Sequence, residues 1–153
     1  MHPVNSNSTK MKHNGLLLII ILLLYLSACT QTDLNYKIVR TDIVMGKHKH
    51  FEWILQNDSV KVIEYPMSSD PDSIVCYKAL TPGQTGKLQT ILKGIDVDTM
   101  KESYVDSLTQ GEGSSTYSIT IGDKSKEIYV YYVDVPELIK IDKFLYDITA
   151  DCK

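Results

Sequence analysis

Apolar and polar positions alternate with a period of two over much of the first half of the chain. Val39, Thr41, Ile43 and Met45 are interleaved with Arg40, Asp42 and Val44, and Phe51, Trp53 and Leu55 share one face of a second segment. Side chains of a strand point alternately to its two faces, so both segments read as strands. Gln56-Asn57-Asp58-Ser59 is turn chemistry, because Asn and Asp tolerate left-handed backbone and bond their own chain. Val60 to Tyr65 then completes a hairpin, Pro66 to Asp72 is a polar loop, and Ser73 to Tyr77 is a short apolar strand.

The period then changes. Thr81-Pro82 is a helix start, an N-cap followed by proline at the first helical position. Leu88, Ile91, Leu92 and Ile95 fall at i, i+3, i+4 and i+7, one buried stripe. Gly83 and Gly86 weaken its first turn, and Gly94 marks its end. The stretch from Met100 to Leu108 is expected to hold a helical turn, and Thr109 to Thr116 a small polar loop. A second hairpin follows, with Tyr117, Ile119 and Ile121 on one face, a turn at Gly122-Asp123-Lys124-Ser125, and a central strand from Glu127 to Val133. Asp134-Val135-Pro136 opens a last helix, in which Leu138, Ile141, Leu145 and Ile148 recur at helical spacing with Phe144 beside them. Strands, helix, hairpin and helix without strict alternation predict an α+β fold. The expectation is a mainly antiparallel sheet of about five to six strands, with two helices packed on one face.

The N-terminus reads differently. Lys10, Lys12 and His13 precede an apolar run from Leu16 to Leu26 that is interrupted only by Tyr25. A basic segment followed by an apolar stretch of this length is a secretory signal, too short for the ~20 residues of a membrane span. Met1 and Met11 are both acceptable starts. The run ends in Leu26-Ser27-Ala28-Cys29, which resembles the lipobox of bacterial lipoproteins. The resemblance implies cleavage between Ala28 and Cys29 and acylation of Cys29. Two or more acyl chains then anchor the protein stably. Thr30, where an aspartate often retains such proteins at the inner membrane, favours the outer membrane. The expected organisation is a signal peptide over 1–28, a lipidated tether over 29–35 and one α+β domain over 36–153. As a whole the chain is similar to small lipoproteins of Gram-negative envelopes.

Removing the leader with its two lysines leaves 14 basic against 19 acidic residues, a formal charge of −5. No basic stripe suggests a nucleic-acid partner. The tether is short enough to hold the domain within roughly 20 Å of the bilayer. After lipidation, Cys76 and Cys152 remain in an oxidising compartment, either as a disulfide or as separate thiols.

Four constellations carry candidate chemistry. His48, His50 and Glu52 are spaced by two, so a strand presents them on one face, where imidazole and carboxylate suit zinc or copper. The plainer alternative is an exposed polar face opposite Phe51 and Trp53. Gly111-Glu112-Gly113-Ser114-Ser115 lacks the lysine and the following helix of a phosphate cradle and is expected to be a loop. Tyr117, Tyr129, Tyr131 and Tyr132 crowd one hairpin and are the expected binding face, since tyrosine combines rigid area with a polar tip. Asp58-Ser59-Val60, Asp72-Ser73-Ile74, Asp98-Thr99-Met100 and Asp106-Ser107-Leu108 resemble an Asp-Ser/Thr-apolar O-glycosylation motif of one phylum of Gram-negative bacteria. That resemblance implies glycans on Ser59, Ser73, Thr99 or Ser107. The leading expectation is an anchored, non-catalytic binding or accessory module without a cofactor, facing an envelope protein or a glycan. A structural envelope component and a metal-dependent hydrolase using His48 and His50 are the alternatives.

Overall fold

β1 (Tyr36–Val44) is the centre of the sheet, paired antiparallel with β2 (Lys49–Gln56) on one side and β6 (Gly113–Ile121) on the other. The computed structural model describes residues 34–44, 49–66, 70–109 and 113–152, and those from Leu34 onward belong to one compact unit. The remaining strands are β3 (Ser59–Pro66), β4 (Ser73–Ala79), β5 (Ser103–Val105) and β7 (Lys124–Tyr131). Their order across the sheet is β4-β3-β2-β1-β6-β7-β5. All neighbours are antiparallel except β5, which runs parallel to β7.

The fold is therefore α+β, with seven strands rather than five or six. The additional strand lies where a helical turn was expected. No helical turn forms between Met100 and Leu108: a 3-10 turn at Val97–Thr99 precedes that stretch, and the chain then extends through Ser103–Val105. Three residues are too few to display a period. What makes them a strand is hydrogen bonding to β7: Tyr129 N–H donates to Glu102 O at 2.9 Å, and Asp106 N–H donates to Tyr131 O at 3.0 Å.

Local chemistry sets the turns. Asn57 and Asp58 stand at φ 51° and 50° between β2 and β3. Positive φ at both central residues marks the two-residue hairpin whose twist matches that of the strands. Gly122 takes φ 64° in the β6–β7 turn, where a Cβ would be strained. β6 begins at Gly113 and so takes the last four residues of the segment expected to be loop. Glycine and serine are poor strand formers, so only the pairing Ser115↔Asp42 reveals the strand.

α1 (Pro82–Lys93) starts with a reciprocal cap. Gln84 N–H donates to Thr81 Oγ1 at 3.3 Å, and Thr81 N–H donates to Gln84 Oε1 at 2.8 Å. α2 (Pro136–Thr149) buries Leu138, Ile141, Phe144, Leu145 and Ile148. Both helices pack on the sheet face formed by Tyr36, Ile38, Leu55, Val60, Tyr117, Ile119 and Ile128. Each fully buried apolar side chain contributes roughly 1.5–3 kcal/mol.

The far end of α2 is fastened to β4. Cys76 and Cys152 are disulfide-bonded with Cα atoms 5.5 Å apart. Lys78 Nζ donates to Ile148 O at 3.2 Å and also pairs with Asp151. The opposite sheet face carries no helix among the described residues. Its exposed apolar groups include Ile74 (63% exposed) and Tyr77 (68%) on the edge strand β4.

Candidate functional site

The helix-side row of β1 changes character along the strand. Tyr36 and Ile38 are core, and the next position on that face is Arg40, 6% exposed. A buried guanidinium is stable only when it is paired and surrounded by suitable groups. Its Nη2 meets Asp42 at 2.8 Å, and its Nε lies 3.3 Å from Asp142 on α2. The guanidinium carbon lies 4.9 Å from the Trp53 ring centre and 5.1 Å from that of Tyr146, which are cation–π contacts.

Hydroxyls complete the two carboxylates. Ser115 Oγ donates to Asp42 Oδ1 at 2.7 Å. Tyr117 Oη lies 2.9 Å from both oxygens of Asp142. Nε and Nη1 of Arg40 are buried without a hydrogen-bond partner among the described residues, so the 3.3 Å approach to Asp142 is ionic contact rather than a hydrogen bond. Burial alone would lower the guanidinium's proton affinity, but Asp42 and Asp142 more than offset it and Arg40 stays charged. The Asp142 carboxyl is held above the ordinary carboxylate range by burial, against the pull of Arg40 and Tyr117. Tyr117 is likewise pushed far up by burial and by Asp142.

Beside this cluster lies a cavity of about 470 Å³, within the size range of ligand pockets. Its walls come from the last residues of β1, the first of β6, the segment joining β7 to α2, and the first turns of α2. Asp42, Asp134 and Asp142 supply carboxylates, Ser114 and Ser115 hydroxyls, and Ile43, Val133, Leu138 and Ile139 apolar surface. Tyr132 forms part of the wall, 47% exposed and held at φ 53°. Left-handed backbone is rare for so bulky a residue, and such positions concentrate at functional sites. Among the described residues the lining contains no histidine, lysine, arginine or cysteine.

The four tyrosines expected to form one surface are separated by strand alternation. Tyr117 is 3% exposed and belongs to the core and to the Arg40 cluster. Its partner across the hairpin is Ile128, whereas Tyr129 pairs with Thr116 and lies on the opposite sheet face, 40% exposed. The Tyr131 and Tyr132 rings meet edge to face at 4.8 Å. Tyr117 is thus corrected from surface to core, because residue 117 shares the parity of Ile119 while 129 has the opposite parity to Ile128.

His50 and Glu52 lie on the helix-free face, joined by Tyr65 of β3. The His50 and Tyr65 rings stack at 4.8 Å with a 7° tilt, and Tyr65 Oη donates to Glu52 at 3.1 Å. Burial and the Glu52 charge push the Tyr65 hydroxyl up. No group of three His, Cys, Asp or Glu capable of holding a metal occurs among the described residues. His48 lies outside the described residues, as do Ala28, Cys29, Gly111 and Glu112.

Of the four Asp-Ser/Thr-apolar sites, Ser73, Thr99 and Ser107 are exposed and Ser59 is half-buried. Ser59 Oγ donates to Gln56 O at 2.8 Å and Thr99 Oγ1 donates to Asp96 O at 2.9 Å, so both hydroxyls take part in their turns.

Sequence reasoning missed Arg40, Asp42, Ser115, Asp134 and Asp142 as site residues. The alternation reads Val39, Thr41 and Ile43 as the apolar row of β1, but the helix-side row is Tyr36, Ile38 and Arg40 and Ile43 is 42% exposed, so the faces are inverted and the burial of the arginine was not legible. No helix of the described residues is long and apolar enough to cross a membrane. No protein-family model matches this chain and no curated protein matches it, so the chemistry of the site is read from its own residues.

Proposed function

We propose that the protein is a lipid-anchored lipoprotein of a bacterial envelope whose domain is a non-catalytic binding module, with the cavity beside Asp42 and Asp142 as its binding site. Leu26-Ser27-Ala28-Cys29 after the apolar run supports the anchor. The observation that carries the binding role is the cavity itself: about 470 Å³, polar and apolar in alternation, built around a charged cluster that packing alone does not require.

The topology adds an orientation. Leu34, five residues after Cys29, leads into β1 at the end of the sheet that carries the Asn57–Asp58 and Gly122–Asp123 turns; Gly122 N–H donates to Asn35 O at 2.8 Å. Asp42 and Ile43, which line the cavity, lie at the other end of β1. The six residue steps from Tyr36 to Asp42 span about 20 Å. The cavity thus lies about one strand length from Leu34, where the described domain begins.

Crosslinking of the native lipidated protein in intact cells tests this reading, with Cys29→Ser as the control. One dominant partner, contacted through residues 113–115 or 132–135 and lost with the anchor, is expected. Efficient crosslinking that yields no partner in any fraction overturns the binding role. N-terminal mass analysis showing an unmodified Cys29 overturns the anchor. Glycans on Ser73 or Ser107 are proposed from the sequence motif, and an intact mass equal to polypeptide plus lipid would refute them.

A further inference from the structure

The cavity is short of positive charge. Three carboxylates line it, and the lining includes no basic residue among the described residues. Arg40, which pairs with Asp42 and Asp142, is more than nine-tenths buried against Trp53 and Tyr146 and is not part of the lining. A single guanidinium thus serves two carboxylates, and Asp134 has no part in that pairing.

The remaining walls fit the stem of a cationic side chain. Ile43, Val133, Leu138 and Ile139 give apolar contact, and the exposed Tyr132 ring offers a face for cation–π attraction. Lysine carries an ammonium on a four-carbon apolar stem, and the stem buries readily against apolar surface while the head stays with its acceptors.

We infer that this cavity receives the side chain of a lysine from a partner polypeptide, its ammonium facing Asp42, Asp134 and Asp142 and its stem along Ile43 and Leu138. The inference rests on the binding-module reading and specifies its ligand. The ammonium donates to the carboxylate lone pairs left by Ser115, Tyr117 and Arg40. A cation in the cavity lowers the proton affinity of the Asp142 carboxyl, opposing the rise that burial causes.

The test uses the full chain in detergent micelles with three blocked tripeptides, acetyl-Ala-Lys-Ala-amide, its norleucine counterpart and its glutamate counterpart. Backbone amide shifts of Ser114, Ser115 and Tyr132 to Asp134 are followed by NMR. The lysine peptide is expected to move these resonances saturably, at least tenfold more tightly than the norleucine peptide, and the glutamate peptide not at all. Asp134 is exposed and outside the Arg40 cluster, so Asp134→Asn keeps the fold and weakens lysine binding about threefold or more. Equal binding of lysine and norleucine overturns the inference in favour of a plain apolar pocket. Saturable shifts with N-acetylglucosamine or calcium ion but not with the lysine peptide overturn it in favour of a sugar or metal site, and leave the binding-module reading intact. No shift with any probe removes this inference alone, since the cellular crosslink tests the wider reading separately.

Discussion

The two ends of β1 solve the same problem in opposite ways. At the Tyr36 end, a buried polar group is satisfied by its own neighbourhood. Tyr36 Oη donates to Asp58 Oδ1 at 3.0 Å and accepts from Asp58 N–H at 3.1 Å, so the hydroxyl both gives and receives within one turn. At the Arg40 end, the buried group is a charge held between two distant acids and two rings, and part of its donor capacity is unused. The first arrangement closes a hairpin and leaves no space. The second opens onto a cavity. A satisfied polar group stabilises the fold with no further requirement, whereas an incompletely satisfied charged cluster beside open space is where a ligand adds most.

The difference is sharpest in stability. Arg40→Ala strips the cation from Asp42 and Asp142, and an uncompensated buried pair costs about 3–5 kcal/mol. Urea unfolding is expected to show a loss of that order; a loss below about 1 kcal/mol would mean that the acids are already solvated. The clasp at the far end of α2 comes next. Cys76 and Cys152 close a loop with a sequence separation of 76, and the Cys76→Ser, Cys152→Ser double variant should lose roughly 2–4 kcal/mol in the same assay. A change in cavity binding without a change in stability would instead make the clasp part of the site.

Alkaline unfolding probes both ends at once. Tyr36 is pushed up to about 12 by burial and by its bond to Asp58, and Tyr117 is pushed further by burial and Asp142. In the unfolded chain both ionise near 10. The stability they contribute is therefore full below pH 10 and is lost as the pH rises through their folded values, by up to ~1.4 kcal/mol per pH unit per tyrosine. Replacing both with phenylalanine is expected to flatten that decline between pH 10 and 12; an unchanged slope would assign it to other groups. The smallest effect belongs to the self-contained end. Tyr36→Phe removes one hydrogen-bonded hydroxyl and should cost about 1 kcal/mol, with no effect on the binding of a lysine peptide.

Much of the architecture was legible because periodicity reports which face is buried. Leu138, Ile141, Leu145 and Ile148 marked α2 without ambiguity, and Thr81-Pro82 marked the start of α1 down to its cap. Asn57-Asp58 announced a hairpin turn and is one. Segments whose state depends on a distant partner were illegible: β5 exists because β7 lies beside it, and the glycine and serines opening β6 are extended because β1 continues to Val44.

The candidate site divides in the same way. The sequence by itself determined the leader pattern, the two helices and the hairpins, since each depends on residues within a few positions of one another; which face of β1 turns inward, and with it the burial of Arg40, was decided by tertiary packing. Tertiary structure alone decided that Asp142, about a hundred residues after Asp42, stands across the same guanidinium from it, and that Tyr117 faces the core while Tyr129 faces away. It also decided that a cavity separates β6 from the start of α2. The reason is physical. Local propensities are set by steric and hydrogen-bonding preferences that act within a turn or two, whereas a charge cluster needs groups from separate elements, and their meeting is fixed only when the core packs.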